Sequence, residues 1–209
     1  MRRRGELYND DESLGDARLC GTTASLCGIE TALASKDKKA LQKAIDCDVM
    51  LHAYMLTQSG IPVIYSGDEI AQLNDYGYHD IPDKKADSRY LHRGRLDWKA
   101  AEKRLDPKSV EGAVYQSLLQ LESIRRQHEV FTASADFRVI DTINNHVLGV
   151  KREYQGEKLY AFFNFSEKEQ PTYFDGILSG KDLVSGERIR GLSETLKPYG
   201  FLWILCDKK

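Results

Sequence analysis

The chain has 209 residues, 41% of them hydrophobic and 30% charged, and a net charge of -2 at pH 7. That length supports one domain, or one domain with an attached piece, around a real core. The near-neutral balance argues against nucleic acid or an anionic membrane as a partner, and no run of about 18 apolar residues exists to make a spanning helix.

Residues 1–20 are polar, lack periodicity and read as a loop. Gly21–Leu33 is rich in small residues and reads as a short helix. Asp37 is placed to cap a long helix in which Leu41, Ile45, Val49, His52 and Leu56 recur at helical spacing, with Met55 widening the stripe. Gly60 suits the C′ position, and Pro62 blocks continuation. A short apolar run, Ile61–Ser66, then reads as a buried strand. Residues 67–106 form a long loop with Gly, Pro, Asp and Asn throughout, a length usually tied to function or partial disorder. Asp106-Pro107 marks the next helix start, and Val110, Val114, Leu118, Leu121 and Ile124 carry an amphipathic helix to about Gln127. After it the period changes to two. Candidate strands are Phe137–Ile140, His146–Glu153, Lys158–Phe165, Gln170–Phe174, Lys181–Val184, Glu187–Ile189, Glu194–Leu196 and Phe201–Leu205. Their spacing predicts an antiparallel sandwich.

Cys20, Cys27, Cys47 and Cys206 form no C-x-x-C pair and read as buried, reduced thiols of a cytoplasmic protein. No metal spacing is present. The Ser179–Asp182 stretch lacks the upstream glycine and following helix of a phosphate loop. No cofactor is expected.

The most informative stretch is GIPVIYSGDE, Gly60–Glu69. An apolar run that ends in Tyr65, Gly67, Asp68 and Glu69 delivers polar groups to one end of a sheet, where α/β enzymes do chemistry. The stretch resembles the eighth barrel strand of the α-amylase family, glycoside hydrolase family 13, with its G-x-P-x-I-Y-x-G-D-E motif. Gly15–Leu26 (GDARLCGTTASL) and Leu73–Trp98 (LNDYGYHDIPDKKADSRYLHRGRLDW) resemble the matching parts of amylosucrases, which move glucose from sucrose onto an α-1,4-glucan. The resemblance covers nearly the whole chain. It implies an α+β piece: the last strand and helices of a (β/α)8 barrel in residues 1–129, then an all-β antiparallel sandwich in residues 130–209. It also implies that the segments bearing the family's nucleophilic Asp, acid/base Glu and transition-state His-Asp pair lie upstream. The chain alone is therefore expected to be inactive, with sucrose and α-glucan as partners through the parent enzyme. Cutting a closed barrel exposes an apolar face, so self-association through Ile61–Ile64 is expected.

Retaining glycosidases need two carboxyl groups about 5 Å apart. Asp68 and Glu69 are adjacent on a strand and point to opposite faces, so they do not form such a pair. With Tyr65 and Asp87 they read as supporting or structural residues. His79-Asp80 sits in the loop after strand eight and reads as loop, not as the catalytic His-Asp pair. The run Asp87–Arg95 (DSRYLHRGR) holds three arginines, whose planar forks suit vicinal hydroxyls or a carboxylate. The amylosucrase resemblance makes Arg89 the residue that pairs with an Asp elsewhere in the barrel to close the glucose pocket, with Arg93 a second candidate. It matches Arg18 to an arginine that contacts sugar beyond the cleaved bond. Two other readings stay open: a sucrose hydrolase or α-glucosidase of the same family, and a non-catalytic carbohydrate-binding or structural β-domain.

Overall fold

The computed structural model describes residues 4–11, 13 and 15–207. The chain divides into two units, Met1–Asp48 with Ile64–Gln116, and Val49–Val63 with Ser117–Lys209.

The first unit opens with a hairpin where a loop was expected. Strands β1 (Glu6–Asp11) and β2 (Asp16–Cys20) pair antiparallel, with Tyr8 opposite Arg18. The sequence hid this hairpin because much of its apolar surface faces outward: Leu7 and Leu19 are more than half exposed, so no apolar/polar alternation marks a core side. The small-residue stretch forms two helices, not one: α1 (Thr23–Cys27) and α2 (Ile29–Ser35). Gly28, at φ +99°, closes α1 with its N–H on the Ala24 and Ser25 carbonyls, a backbone state that costs glycine little.

Helix α3 (Lys38–Leu56) begins as expected: Asp37 Oδ1 accepts from the N–H groups of Lys39 and Ala40, both at 3.0 Å. Its buried face is wider than the sequence stripe, taking in Ala44, Cys47, Met50 and Ala53 beside Ile45, His52 and Leu56. The helix stops at Leu56, so Gly60 is not its C′ residue; the Thr57 and Gln58 N–H groups close the last turn on Tyr54 and Met55. Residues 61–65 belong to no strand, because a strand exists only through its ladder and no described segment pairs with them. Ile61 and Val63 are 89% and 75% exposed, the reverse of a buried strand.

Loop 67–106 is ordered by short turns and by α4 (Trp98–Ala101), capped by Asp97. Helix α5 (Val110–Gln127) starts later than Asp106-Pro107 suggests, because Ser109 Oγ supplies the cap by accepting from the Gly112 N–H at 2.9 Å. Its expected stripe is buried at Val114, Leu118, Leu121 and Ile124.

The second unit is built on one six-stranded antiparallel sheet: β3 (Asp136–Ile140), β4 (Val147–Tyr154), β5 (Glu157–Asn164), β6 (Gln170–Asp182), β7 (Arg188–Leu196) and β8 (Phe201–Cys206), in the order β3-β4-β5-β8-β6-β7. The expected antiparallel β-domain is present, and its strands form one hydrogen-bonded sheet. Four of the short strands read from the sequence merge into β6 and β7. The sheet curls: Val147 of β4 and Leu196 of β7, distant in strand order, share one core cluster with Phe162, Leu178, Ile189 and Ile204. Curling gives each strand the two-sided packing that a second sheet would supply. Gly180 permits the crossing, since a Cβ there would lie 2.3 Å from the Leu205 carbonyl oxygen. The opposite face packs on the helical segments of the same unit, with the Phe131 and Trp203 rings 4.9 Å apart and those of Tyr54 and Phe163 5.5 Å apart. Among the described residues no helix is long and apolar enough to cross a membrane.

Candidate functional site

Loop 65–97 folds back in three one-turn stages, each started by a local device. In the first, Gly67 adopts φ +99° and its N–H donates to Glu69 Oε2 at 2.7 Å. A Cβ at Gly67 would meet Gln72 at 2.9 Å. Glu69 is therefore occupied in holding its own turn, while Asp68 is half-buried and near enough to His92 for its charge to act on the imidazole. The two carboxylates stand in this turn, Asp68–Ile70, and not on a strand as expected.

The second stage is Tyr76–Asp80, capped by Asp75 on the Gly77 N–H at 2.9 Å. Tyr78 is buried and its hydroxyl donates to Glu6 of β1. Burial, then that hydrogen bond, push the Tyr78 hydroxyl up. His79 stacks on Tyr78 with centroids 4.2 Å apart, and its Nε2 lies 3.0 Å from Glu6 Oε1. His79 thus helps to dock the hairpin.

The third stage, Ser88–His92, carries the arginines. Asp87 caps the turn through the Arg89 N–H and also takes the Arg89 side chain, from Nε to Oδ1 and from Nη2 to Oδ2, both at 2.8 Å. The guanidinium lies over the Tyr8 ring at 4.5 Å. The amylosucrase resemblance expects a carboxylate from elsewhere in the barrel; in this chain the partner is Asp87. Ser88 Oγ donates to the Leu7 carbonyl at 2.9 Å, fixing β1 beside the turn. Arg18, opposite Tyr8 in the register, stands on the same face of the hairpin as Tyr8. The fold thus brings Arg18, Tyr8, Arg89 and Asp87 to one face, although Arg18 and Arg89 lie 71 positions apart by numbering (89 less 18). Arg93 is exposed and lies 5.9 Å from the Tyr90 ring centroid. Tyr65 meets His92 edge-on at 5.9 Å. Burial and then the Arg93 charge hold the His92 imidazole below its ordinary range.

The Arg89 fork is the first cause that pulls the Asp87 carboxyl down to about 2. Because the folded value lies below the ordinary ~3.9, the pair stabilises fully above about pH 4 and is lost as pH falls toward about 2. A carbon-detected NMR titration should give Asp87 a midpoint near about 2; a midpoint near 4 would show the fork open in solution.

Arginine forks and tyrosine rings on one face can hydrogen-bond vicinal hydroxyls and cover the C–H face of a pyranose. The sequence singled out the arginines and Asp87. It missed Glu6 and Tyr8, which act through a hairpin that no local pattern announced.

No family model matches the chain. In sequence it is 32% identical over 158 residues to the glucosylglycerate phosphorylase of Escherichia coli (strain K12), a match covering 75% of this chain and 27% of that protein. In fold it is similar to the trehalulose synthase MutB of Pseudomonas mesoacidophila MX-45, with a TM-score of 0.59, 19% identity, and coverage of 78% of this chain and 38% of that one. AmyP E221Q, solved with maltotriose, gives a TM-score of 0.64 at 14% identity, with coverage of 81% and 38%. The chain thus spans about a quarter of the length of this curated relative. It belongs to the α-amylase family, glycoside hydrolase family 13, and corresponds to a C-terminal portion of such an enzyme.

Proposed function

We propose that this chain supplies one wall of the sugar site and the C-terminal β-domain of a retaining α-glucosyl-transferring enzyme that acts on sucrose or an α-glucan, as in amylosucrases. The observation that carries the reading is the convergence of Arg18, Arg89 and Asp87, from two segments that each resemble amylosucrase sequence, on one face with Tyr8. In this reading Arg89, held flat by Asp87, presents its remaining N–H groups to the glucosyl hydroxyls. Arg18 lies toward the acceptor and Arg93 is the second candidate for the pocket arginine, while Tyr65, Asp68 and Glu69 set the loop. The nucleophile and acid/base come from the barrel upstream, and the glucosyl unit passes through a covalent enzyme intermediate with net retention. The protein works in the cytoplasm.

A second reading, phosphorolysis of a glucoside, draws on the 32% identity to a glucosylglycerate phosphorylase. The two differ only in what receives the glucosyl unit: a glucan or water, or inorganic phosphate. Product analysis separates them. Glucan or glucose together with fructose from sucrose supports the first, and glucose 1-phosphate from glucosylglycerate and phosphate supports the second.

The face of Ile61–Ile64, with Ile61 and Val63 exposed, is the surface we assign to further barrel strands or, in the isolated chain, to a second copy. Light scattering should then give a mass above that of a monomer; a strictly monomeric mass would remove the second copy.

A further inference from the structure

Strand β1 is tied to loop 67–106 at three consecutive residues. Glu6 accepts from the Tyr78 hydroxyl on Oε2, and its Oε1 stands 3.0 Å from His79 Nε2. The Leu7 carbonyl accepts from the Ser88 hydroxyl at 2.9 Å. The Tyr8 ring lies under the Arg89 guanidinium at 4.5 Å. Glu6 and Tyr8, two apart on the strand, share the face turned to the loop, while the Leu7 side chain between them turns outward and is exposed. The ladder with β2 is regular only over this stretch, because the register shifts after Tyr8. A two-stranded sheet alone is marginal in water, so the hairpin depends on these ties for its position.

The ties matter to Arg89 because its carboxylate partner is local. Asp87 and Arg89 sit two residues apart in one turn. Their fork fixes the two side chains to each other but lets them swing together. Tyr8 comes from a segment 81 positions away by numbering (89 less 8), and it covers one face of the guanidinium, which fixes the plane against the rest of the unit. Asp87 occupies Nε and one Nη2 hydrogen, so the Nη1 group and the second Nη2 hydrogen remain for a ligand. Their direction follows from that plane. The Glu6 tie is close to the pair it serves: Tyr78 is buried, and both the Glu6 bond and the Asp87 charge are among the causes that raise its hydroxyl.

We propose that Tyr8 and Glu6 are positioning residues for Arg89: Tyr8 sets the plane of the guanidinium, and Glu6, through Tyr78 and His79, holds β1 where Tyr8 can do so. The inference rests on the reading of the arginine face as a sugar site. It gives the β1–β2 hairpin a part in orienting the glucosyl unit.

The direct readout is the NMR order parameter of the Arg89 Nε–H in the 209-residue chain. It should lie above about 0.8 in the wild type and fall below about 0.6 in Tyr8→Leu and in Glu6→Ala. Tyr8→Phe keeps the ring and Glu6→Gln keeps an acceptor for Tyr78, so both should stay near the wild-type value. A merely structural part for the hairpin would lower the melting point and leave the order parameter unmoved, and that result would overturn the proposal. So would an Asp87 midpoint that climbs from about 2 toward about 4 in Tyr8→Leu, because Tyr8 would then make the fork and not aim it. In the protein extended through the barrel, Tyr8→Leu should lower kcat and kcat/KM for sucrose together by about tenfold, and Tyr8→Phe should recover most of that loss. Full activity in Tyr8→Leu beside a crippled Arg89→Ala would also overturn the proposal. Arg89→Ala at full activity would sink the sugar-site reading instead, and the order parameter would still decide whether Tyr8 and Glu6 aim Arg89.

Discussion

Replacing Arg152 with alanine should destabilise the protein by about 3–5 kcal/mol, the range seen when a buried charge network is broken. Arg152 lies on β4, is 1% exposed and, among the described residues, pairs with no carboxylate. Its guanidinium instead donates to three backbone carbonyls: Nε to Val130 at 2.8 Å, Nη1 to Thr57 at 2.6 Å and Nη2 to Thr132 at 2.6 Å. These carbonyls lie in the segment after α3 and the turn after α5, where only Thr132 has a backbone donor besides, the Ala135 N–H at 3.1 Å. One planar fork thus satisfies three acceptors from two chain segments, with bonds to a charged donor worth about 1.5–3 kcal/mol each. The burial that lowers the Arg152 pKa is the opposing cost. Alanine removes all three donors and opens a cavity. For a chain of this size the melting midpoint should fall by about 10 °C. Arg152→Lys should fall between, since a point donor cannot span three carbonyls. A melting point unchanged in Arg152→Ala would mean that these carbonyls find water or other partners in solution.

In a protein extended N-terminally through the barrel, Arg89→Ala should lower kcat/KM for sucrose by about a hundredfold, a loss typical of a misplaced positioning group. The physical reason is geometric. Asp87 fixes the guanidinium through two bonds at 2.8 Å, and Tyr8 covers one face at 4.5 Å. The fork is therefore ordered before sugar arrives, and little rotamer entropy is lost on binding. Arg89→Lys keeps the charge but loses the plane, so it should recover only part of the loss. Asp87→Asn should behave like a milder Arg89→Ala, because it frees the fork without removing it. Steady-state kinetics with sucrose check all three. Equal kcat/KM in wild type and Arg89→Ala would take Arg89 out of the site.

Much of this was legible in the sequence, for reasons that differ by element. Helices α3 and α5 were readable because each buries one face, and because Asp37 caps through a side chain two residues away in sequence. The sheet strands were readable from runs of apolar residues such as β5, which alternates at Leu159 and Ala161 and is then buried on both faces, with Phe163 against Tyr54 and Phe162 in the curled core. Joining the strands was not readable. Whether β6 ends at Phe174 or continues to Asp182 depends on a register break with β7, a long-range pairing that leaves no local mark. The hairpin β1–β2 was missed because it serves loop 67–106 and not a core of its own. Residues 61–65 erred the other way: the pattern of a buried strand is plain, but the ladder that would bury it is not supplied within the described chain. For the site, arginine density pointed to the turn at Ser88–His92, and the resemblance pointed to Arg18. Their meeting at Tyr8 required the β1–β2 register.

The most direct test of the central claim is product release by this chain and by the same chain extended through the barrel, each given sucrose, and each given glucosylglycerate with phosphate. The account predicts turnover only in the extended protein, as released fructose or glucose 1-phosphate, with the 209-residue chain silent on both substrates. Turnover by the chain alone would contradict it and would place the reacting carboxylates among residues assigned here to the loop, with Asp68 and Glu69 the first to be replaced.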